Sequence, residues 1–242
     1  QIFDNIQILP GGNGGGVVEG LMRIARLRRA IKRADPDQIV CVGTFADLMV
    51  SLVAPNRKSL LTVHGNYTML LGESKPAWIL RPMLRWRFAR SLVVAPAQGV
   101  ADDLIKNFSA TNVRVIHHGV DGEEITRLAD ATPRDLPAEP YILAVGRLAK
   151  QKDYPTLLGA YAKAREKGLT FPLVIVGDGP ERTEIESLAK QLGLTGQVRF
   201  LGHRDNPYPY MKQARFLVLS SLWEGFGLVL IEAMALGIPC VS

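Results

Sequence analysis

The chain has 242 residues, of which 47% are hydrophobic and 21% are charged. This composition indicates a globular protein of one or two domains and excludes disorder, collagen and coiled coil. The excess of basic over acidic residues, 29 − 23 = 6, is too small to indicate a nucleic-acid partner. No apolar run in the sequence reaches the roughly 18 residues of a membrane span. Cys41 and Cys240 lie in apolar runs, which predicts buried thiols in a reducing cytoplasm.

Short β-rich runs alternate with helical stretches along most of the chain. The predicted strands occupy residues 38–42, 59–63, 92–95, 113–117, 141–145, 173–176, 197–201, 216–219 and 239–241. The predicted helices occupy about 17–34, 77–89, 98–107, 154–167, 180–192 and 228–236. Several strands are continuously apolar, as in parallel sheets that are covered on both faces. The alternation predicts an α/β protein with doubly wound sheets.

The segment 121–140 interrupts this alternation, because it holds three prolines and shows no strand periodicity. We interpret residues 1–125 as an N-terminal domain, 126–140 as a linker and 141–242 as a C-terminal domain. Ligands of open α/β sheets bind at the carboxyl ends of the strands, so two such domains would face a shared cleft. The chain starts without Met and stops where a strand begins, so we expect both domains to be incomplete. The glycine-rich run at 11–16 predicts a flexible loop, and the alternative is a glycine-rich loop that binds a ligand.

Strands of the second domain end in glycine or small polar residues. Glycine at such a position permits a sharp turn and a close approach of the backbone to a ligand, although tight turns alone would also require it. Arg147 and Lys152 follow the first of these strands, five residues apart. Two cations there suit a diphosphate, and the alternative is that they are ordinary surface charges.

The stretch 221–237 carries the strongest chemical signal. A short apolar helix follows Gly225-Phe226-Gly227, and the N–H groups and dipole at its start form an anion site. Glu224 precedes this turn, and Glu232 lies one turn inside the helix among apolar residues. A carboxylate in such surroundings is costly unless it is paired. Sugar or ribose hydroxyls would pair with it, and so would a backbone group or an arginine.

The run from Glu224 to Glu232, with seven residues between them, resembles the E-x7-E motif of retaining glycosyltransferases of family 4, which have the two-domain GT-B fold. Further motifs that occur in the family's order are 145–148 with Lys152, 176–180, 200–202 and 232–237. Pro36-Asp37, Val63-His64-Gly65 and Gly119-Val120-Asp121 match the family's first domain less specifically. The sequence departs from the family at His118, where an asparagine is frequent.

The resemblance implies transfer of a sugar from a nucleotide-diphosphate sugar, most commonly a UDP-sugar, to an acceptor hydroxyl with retention of the anomeric configuration. The implied setting is the synthesis of bacterial cell-surface polysaccharide, lipopolysaccharide or glycolipid, with a glycan or lipid-linked acceptor. Matched motif by motif, the implied site residues are Arg147, Lys152, Phe226, Gly227 and Leu228 for the diphosphate, Glu232 for the ribose, Gly202, His203 and Arg204 beside the base, and Glu224 and His64 as catalytic residues at the reacting sugar.

No metal and no other cofactor is implied. Asp35-Pro36-Asp37 mimics a D-x-D metal signature, but this pattern is typical turn chemistry at the end of a helix. In this interpretation the cations and the helix N-terminus take the place of Mg²⁺. Two alternatives to a transferase remain open: another GT-B enzyme, such as a nucleotide-sugar epimerase or a phosphorylase, or a non-catalytic nucleotide-sugar-binding domain.

Two stretches, 21–33 and 75–90, are basic and amphipathic. Such helices can lie on anionic membrane, which predicts a cytoplasmic protein with peripheral contact at the inner face of the membrane. The alternative is that each stretch is a covering helix whose apolar face packs against a sheet.

Overall fold

The computed structural model describes residues 17–54, 59–72, 77–135 and 137–242. The predicted loop at 11–16 and residues 75–76 of the second basic stretch lie outside this range. The chain divides into two compact units, with the division between His117 and His118. Each unit is built on a parallel sheet with helical crossovers, which confirms the α/β prediction.

The first unit has its strands in the order β1-β2-β3-β4, with every neighbouring pair parallel. The strands are Ile39–Val42 (β1), Ser59–Thr62 (β2), Leu92–Ala95 (β3) and Val113–Val115 (β4). The helices are Val17–Ala34 (α1), Thr44–Val53 (α2), Tyr67–Leu71 (α3), Ala77–Phe88 (α4) and Gln98–Phe108 (α5). The core holds an aromatic cluster in which Tyr67, Phe88 and Phe108 meet edge to face, with ring centroids 5.4–6.1 Å apart.

The second unit has five parallel strands in its described residues, in the order β7-β6-β5-β8-β9. They are Ile142–Val145 (β5), Leu173–Val176 (β6), Val198–Gly202 (β7), Phe216–Val218 (β8) and Cys240–Val241 (β9). The helices are Gly122–Ala129 (α6), Tyr154–Glu166 (α7), Arg182–Gln191 (α8), Tyr208–Lys212 (α9) and Leu228–Ala235 (α10), and Lys150–Lys152 form one 3₁₀ turn.

The second sheet is covered on both faces. Ile142 and Ala144 of β5 belong to the core beneath α7 and α8, whereas Leu143 belongs to a separate core beneath α9 and α10. Every residue of β6 is buried, so its run Leu-Val-Ile-Val serves both cores. Continuous apolar strands therefore correspond to double coverage here, which confirms the doubly wound prediction for this unit.

The strand order of the second unit places β8 directly beside β5, although β6 and β7 come between them in the chain. The connections leave β5 toward one edge of the sheet and then return to its other side. Such a reversal opens a crevice at the carboxyl ends of the two central strands, where open α/β sheets bind ligands. The loops after β5 and β8 flank this crevice.

All nine predicted strands and all six predicted helices are present among the described residues, with bounds that agree within two residues. The domain boundary differs from the prediction. Asp121 accepts a hydrogen bond from the backbone N–H of Glu124 and starts α6, which buries Ile125 and Ala129 in the second unit. The predicted linker 126–140 therefore starts inside a helix of that unit, because a helix cap outweighs the proline-rich composition that follows.

The two basic stretches differ in how their apolar side chains are placed. In α1, Leu27 and Ile31 pack against the core of the first unit, as in a covering helix. In α4, Leu84 and Phe88 are buried, but Met83 and Trp86 remain exposed. Arg90 lies over the Trp86 ring, 4.9 Å from its centroid. In the part of the chain that the structure describes, none of the helices combines the length and apolar character needed to cross a bilayer.

Cys41 and Cys240 are not joined by a disulfide. Cys41 is buried in β1, as predicted, whereas Cys240 in β9 is only half-buried. Burial raises the pKa of the Cys240 thiol, so this group is protonated at neutral pH.

Candidate functional site

Four contacts join the loop after β5 to the loop after β8. The Lys152 ammonium lies 2.6 Å from Oε1 of Glu224, and the Ser220 hydroxyl donates to the Lys152 carbonyl at 2.7 Å. The Gln151 amide donates to the Trp223 carbonyl at 2.8 Å, and the Leu222 N–H donates to the Gln151 carbonyl at 2.9 Å. The fold therefore brings Lys152, predicted to bind the diphosphate, and Glu224, predicted to be catalytic, together across the crevice between the central strands.

The ion pair between Lys152 and Glu224 is largely shielded from water. The two side chains are only 18% and 25% exposed, so their attraction is stronger than that of a surface pair. Ser221 makes a second contact to Glu224, since its hydroxyl donates to the same Oε1 at 2.6 Å. Both partners use Oε1, which leaves Oε2 of Glu224 for hydroxyl groups of a ligand.

The glycines after β5 and β6 let two loops touch backbone to backbone. A Cβ on Gly177 would lie 1.9 Å from the Gly146 carbonyl oxygen, and one on Gly179 would lie 2.3 Å from that of Leu148. The Leu148 N–H donates to the Asp178 carbonyl at 3.0 Å across this contact. These glycines therefore pack one loop on the other and shape the floor of the crevice.

A pocket of about 420 Å³ opens at the carboxyl ends of β5, β6 and β7. Arg147, His203 and Arg204 line it together with the loop glycines. Arg147 is exposed and makes no side-chain hydrogen bond or ion pair with the described residues. A cation on the wall of an open pocket attracts an anion, and here it lies beside the two residues predicted to contact a base.

Arg204 is held in place by its neighbours. Its Nη2 donates to Asp135 Oδ2, its Nε to the Tyr210 hydroxyl at 3.2 Å, and its Nη1 to the His203 carbonyl at 2.9 Å. The Arg204 guanidinium holds the pKa of Asp135 below its ordinary value, with a further contribution from Tyr210. His203 is exposed, and its Nε2 lies 3.1 Å from the Asp205 carboxylate.

A second pocket, of about 320 Å³, lies at the start of α10. Glu224, Phe226 and Gly227 contribute to its wall. Gly227 is the N-cap with φ +73°, and no side chain of the described residues caps the helix. The Leu230 N–H donates to the Gly227 carbonyl at 2.9 Å, so the N–H groups of Leu228 and Val229, together with the helix dipole, are available to an anion. The Phe226 ring packs edge to face on His118, with centroids 5.4 Å apart, which fixes this loop.

Glu232 has a protein partner inside the second unit. The Tyr208 hydroxyl donates to its Oε1 at 3.3 Å. Burial raises the pKa of Glu232, and this hydrogen bond opposes the effect only in part. Burial also raises the pKa of Tyr208, as do the nearby Glu232 and Glu124 carboxylates. Additional hydroxyl donors would lower the cost of the half-buried charge further.

His64 lies at the end of β2, in the first unit. Its side chain is exposed, and Nε2 lies 3.2 Å from the Thr62 hydroxyl. Its action at the reacting sugar stays a prediction. Other side chains take part in the site without being predicted from the sequence, among them Asp135, Tyr208, Tyr210 and Ser221. Only Ser221 had a signal, as a small polar residue that follows a strand.

Two family models together match most of the chain. Residues 3–124 match the model described as Glycosyltransferase Family 4, and residues 131–242 match the model described as Glycosyl transferases group 1. The chain belongs to glycosyltransferase family 4. This confirms the resemblance that the E-x7-E run and its companion motifs carry.

Curated relatives of this family-4 chain include transferases of bacterial glycan synthesis. It is 36% identical over 148 residues to the N-acetylgalactosamine-N,N'-diacetylbacillosaminyl-diphospho-undecaprenol 4-alpha-N-acetylgalactosaminyltransferase of Campylobacter jejuni, a match that covers 60% of this chain and 39% of the relative. It is 24% identical over 237 residues to the lipopolysaccharide 1,6-galactosyltransferase of Salmonella typhimurium, which covers 91% and 62%. The chain thus spans less than two thirds of the length of these relatives.

Solved structures support the same fold. The crystal structure of Anabaena Alr3699/HepE in complex with UDP and glucose superposes with a TM-score of 0.74 at 23% sequence identity, covering 95% of this chain and 65% of that one. Sucrose-phosphate synthase from Thermosynechococcus elongatus also gives 0.74, at 22% identity, with 92% and 60% covered. At this identity the likeness establishes the fold, which is GT-B, as predicted.

Proposed function

We propose that the protein is a retaining glycosyltransferase that moves a sugar from a UDP-sugar to an acceptor hydroxyl. The acceptor is a glycan or a lipid-linked glycan in the synthesis of bacterial cell-surface polysaccharide, lipopolysaccharide or glycolipid. The observation that carries the proposal is the pairing of Lys152 with Glu224 across the crevice of the second unit, beside the unpaired Arg147. The named relatives act in such pathways, and Alr3699/HepE is a protein crystallised with UDP.

The residues divide the work between binding and chemistry. Arg147 and Lys152 neutralise the diphosphate as it leaves, and the N–H groups at Phe226, Gly227 and Leu228 add to this stabilisation. Because these groups already supply positive potential, the reaction needs no metal. The sequence motifs also assign positions to the rest of the nucleotide. The ribose binds the carboxylate of the apolar helix α10, and the base lies beside the loop after β7. The residues for them are Glu232 for the ribose, and Gly202, His203 and Arg204 for the base.

The catalytic residues are proposed to be Glu224 and His64. Glu224 has its Oε1 held by Lys152 and Ser221, so Oε2 can accept hydrogen bonds from the donor sugar near the reacting carbon. His64 lies two residues after β2 of the first unit, the unit that we assign to the acceptor, and would contact the acceptor or the sugar.

Nucleotide release and product analysis on the full-length protein test the proposal. The assay uses UDP-glucose, UDP-galactose, UDP-N-acetylglucosamine and UDP-N-acetylgalactosamine with an extract of lipid-linked glycans, in EDTA. We expect transfer from one of these donors, with the anomeric proton coupling of the donor kept in the product. An epimerised sugar without acceptor, or phosphate-dependent turnover, would identify another GT-B enzyme, and binding without turnover a non-catalytic domain.

Two variants separate binding from chemistry in the same assay. Glu232→Ala should raise the UDP dissociation constant about tenfold, because a hydrogen bond to a charged group contributes about 1.5 kcal/mol. Glu224→Ala should slow transfer and leave UDP affinity within about twofold. Equal and small effects of both substitutions would refute this division of roles.

The protein is further proposed to work at the cytoplasmic face of the membrane, attached peripherally through the basic stretches 21–33 and 75–90. The exposed Met83 and Trp86, on a helix that also carries Arg81 and Arg85 and is followed by Arg90, support this for the second stretch. The packing of Leu27 and Ile31 makes α1 the weaker of the two candidates.

A further inference from the structure

The segment that precedes β5 contributes a side chain to the pocket of the second unit. Asp135 lies 69 residues before Arg204 in the chain, yet its carboxylate binds both Arg204 and the Tyr210 hydroxyl, the latter at 2.6 Å from Oδ1. Tyr210 in turn accepts a hydrogen bond from Arg204. Three side chains from three separate segments therefore form a closed ring of contacts at the edge of the pocket.

This ring immobilises the guanidinium group of Arg204. An arginine side chain has five N–H donors, and three of the contacts made by Arg204 fix its plane: those to Asp135, Tyr210 and the His203 carbonyl. The remaining donors and the flat face of the group are available to a ligand in the pocket that Arg204 lines. A fixed planar cation offers a stacking surface and hydrogen bonds to carbonyl oxygens.

The pair formed by Asp135 and Arg204 contributes little to folding. The side chains are 40% and 35% exposed, and such pairs have a small effect on stability. The pair formed by Glu139 and Arg199 is comparable, at 54% and 46% exposed, but neither residue lines the pocket. What distinguishes Asp135 is that its partner faces the pocket, so its effect is on orientation.

We propose that Asp135 is a positioning residue that holds Arg204 against the base of the nucleotide, where the guanidinium group donates hydrogen bonds to a base carbonyl oxygen such as those of uracil. The inference rests on the proposed function, because it assumes that a nucleotide diphosphate occupies the pocket. Arg147 and Lys152 act on the diphosphate, so loss of Asp135 should affect recognition of the base and leave recognition of the phosphates intact.

Calorimetry on the full-length protein with UDP and with inorganic pyrophosphate separates these effects. Asp135→Asn should weaken UDP binding about fivefold, because the positioning of Arg204 contributes roughly 1 kcal/mol to binding of the base. Pyrophosphate has no base, so its binding should be unchanged. The matched control Glu139→Gln removes an exposed pair from the same segment and should change neither affinity. Equal weakening of both ligands, or no weakening of UDP, would overturn the inference.

A double-mutant cycle tests whether Asp135 acts through Arg204. In an Arg204→Ala background, Asp135→Asn should have no further effect on UDP affinity. An undiminished effect there would overturn the inference even if the single variant behaves as expected. If the wild-type protein binds neither UDP nor pyrophosphate, the proposed function fails, and this inference fails with it.

Discussion

The Lys152 ammonium and the Glu224 carboxylate, 72 residues apart in the chain, form a shielded ion pair with 2.6 Å between Nζ and Oε1. The pair spans the crevice between β5 and β8, the two strands at which the winding of the sheet reverses. The same two side chains therefore stabilise the loops after β5 and β8 and take part in the proposed binding and transfer of the sugar nucleotide.

Loss of Lys152 should destabilise the protein as well as weaken nucleotide binding. The Glu224 side chain is only 25% exposed, and Lys152→Ala removes the cation that pairs with it. We expect this loss to lower the free energy of unfolding by about 1–2 kcal/mol. Urea titration measures this change. The control is Lys150→Ala, an exposed lysine two residues away, and equal stability of both variants would show that the pair is not coupled to folding.

Neutralising Glu232 should stabilise the folded protein in a pH-dependent way. Burial raises the pKa of Glu232 above its ordinary value of 4.5, so the folded state favours the protonated form. The protonated carboxyl group therefore contributes stability below pH 4.5, and this contribution is lost as the pH rises through the raised pKa. Glu232→Gln should raise the melting temperature more at pH 7.5 than at pH 4, as read by thermal denaturation. An equal rise at both values would contradict this explanation.

The backbone contact between the loops after β5 and β6 should tolerate no side chain. Gly177→Ala places a Cβ 1.9 Å from the Gly146 oxygen, at φ +146°, and we expect a loss of at least about 2 kcal/mol in the free energy of unfolding. Gly159→Ala is the matched control, because it lies within α7 with no atom within 4 Å of its added Cβ. It should stabilise the protein by about 0.5–1 kcal/mol. Similar stability of the two variants would refute the packing role of Gly177.

Membrane attachment should depend on the exposed aromatic side chain of α4. Trp86→Ala should weaken binding of the full-length protein to phosphatidylglycerol vesicles at low salt about tenfold, since an apolar anchor contributes roughly 1.5 kcal/mol or more. Vesicle sedimentation measures the binding. Ile105→Ala removes a similarly exposed apolar side chain from α5 and should have no effect. No sedimentation of the wild-type protein would refute the proposed attachment.

The sequence predicts the helices and strands of this fold better than the contacts between side chains that are distant in the chain. Strands such as β6 are recognisable because four consecutive apolar residues must be buried. The short helix α6 escaped prediction although Asp121 marks its start, because the prolines that follow masked the signal. Asp135 and Tyr208 gave no local signal, because their partners Arg204 and Glu232 lie 69 and 24 residues away in the chain. Only the strand order brings each residue next to its partner.

The roles of single residues depend on the same long-range placement. Arg147 and Lys152 look equivalent in the sequence, as two cations after one strand. The structure separates them, because Lys152 is bound to Glu224 while Arg147 is exposed in the pocket. Removal of Arg147 should therefore affect ligand binding alone, whereas removal of Lys152 should affect folding too.

The second unit is proposed to bind a uridine diphosphate group through Arg147 without a metal. Isothermal titration of the full-length protein with UDP in EDTA, beside Arg147→Ala and the control Lys150→Ala, tests it most directly. We predict binding of UDP by the wild-type and Lys150→Ala proteins, and a loss of at least about tenfold in Arg147→Ala with its melting temperature unchanged. Binding of UDP that requires Mg²⁺, or that survives the loss of Arg147, would contradict the account.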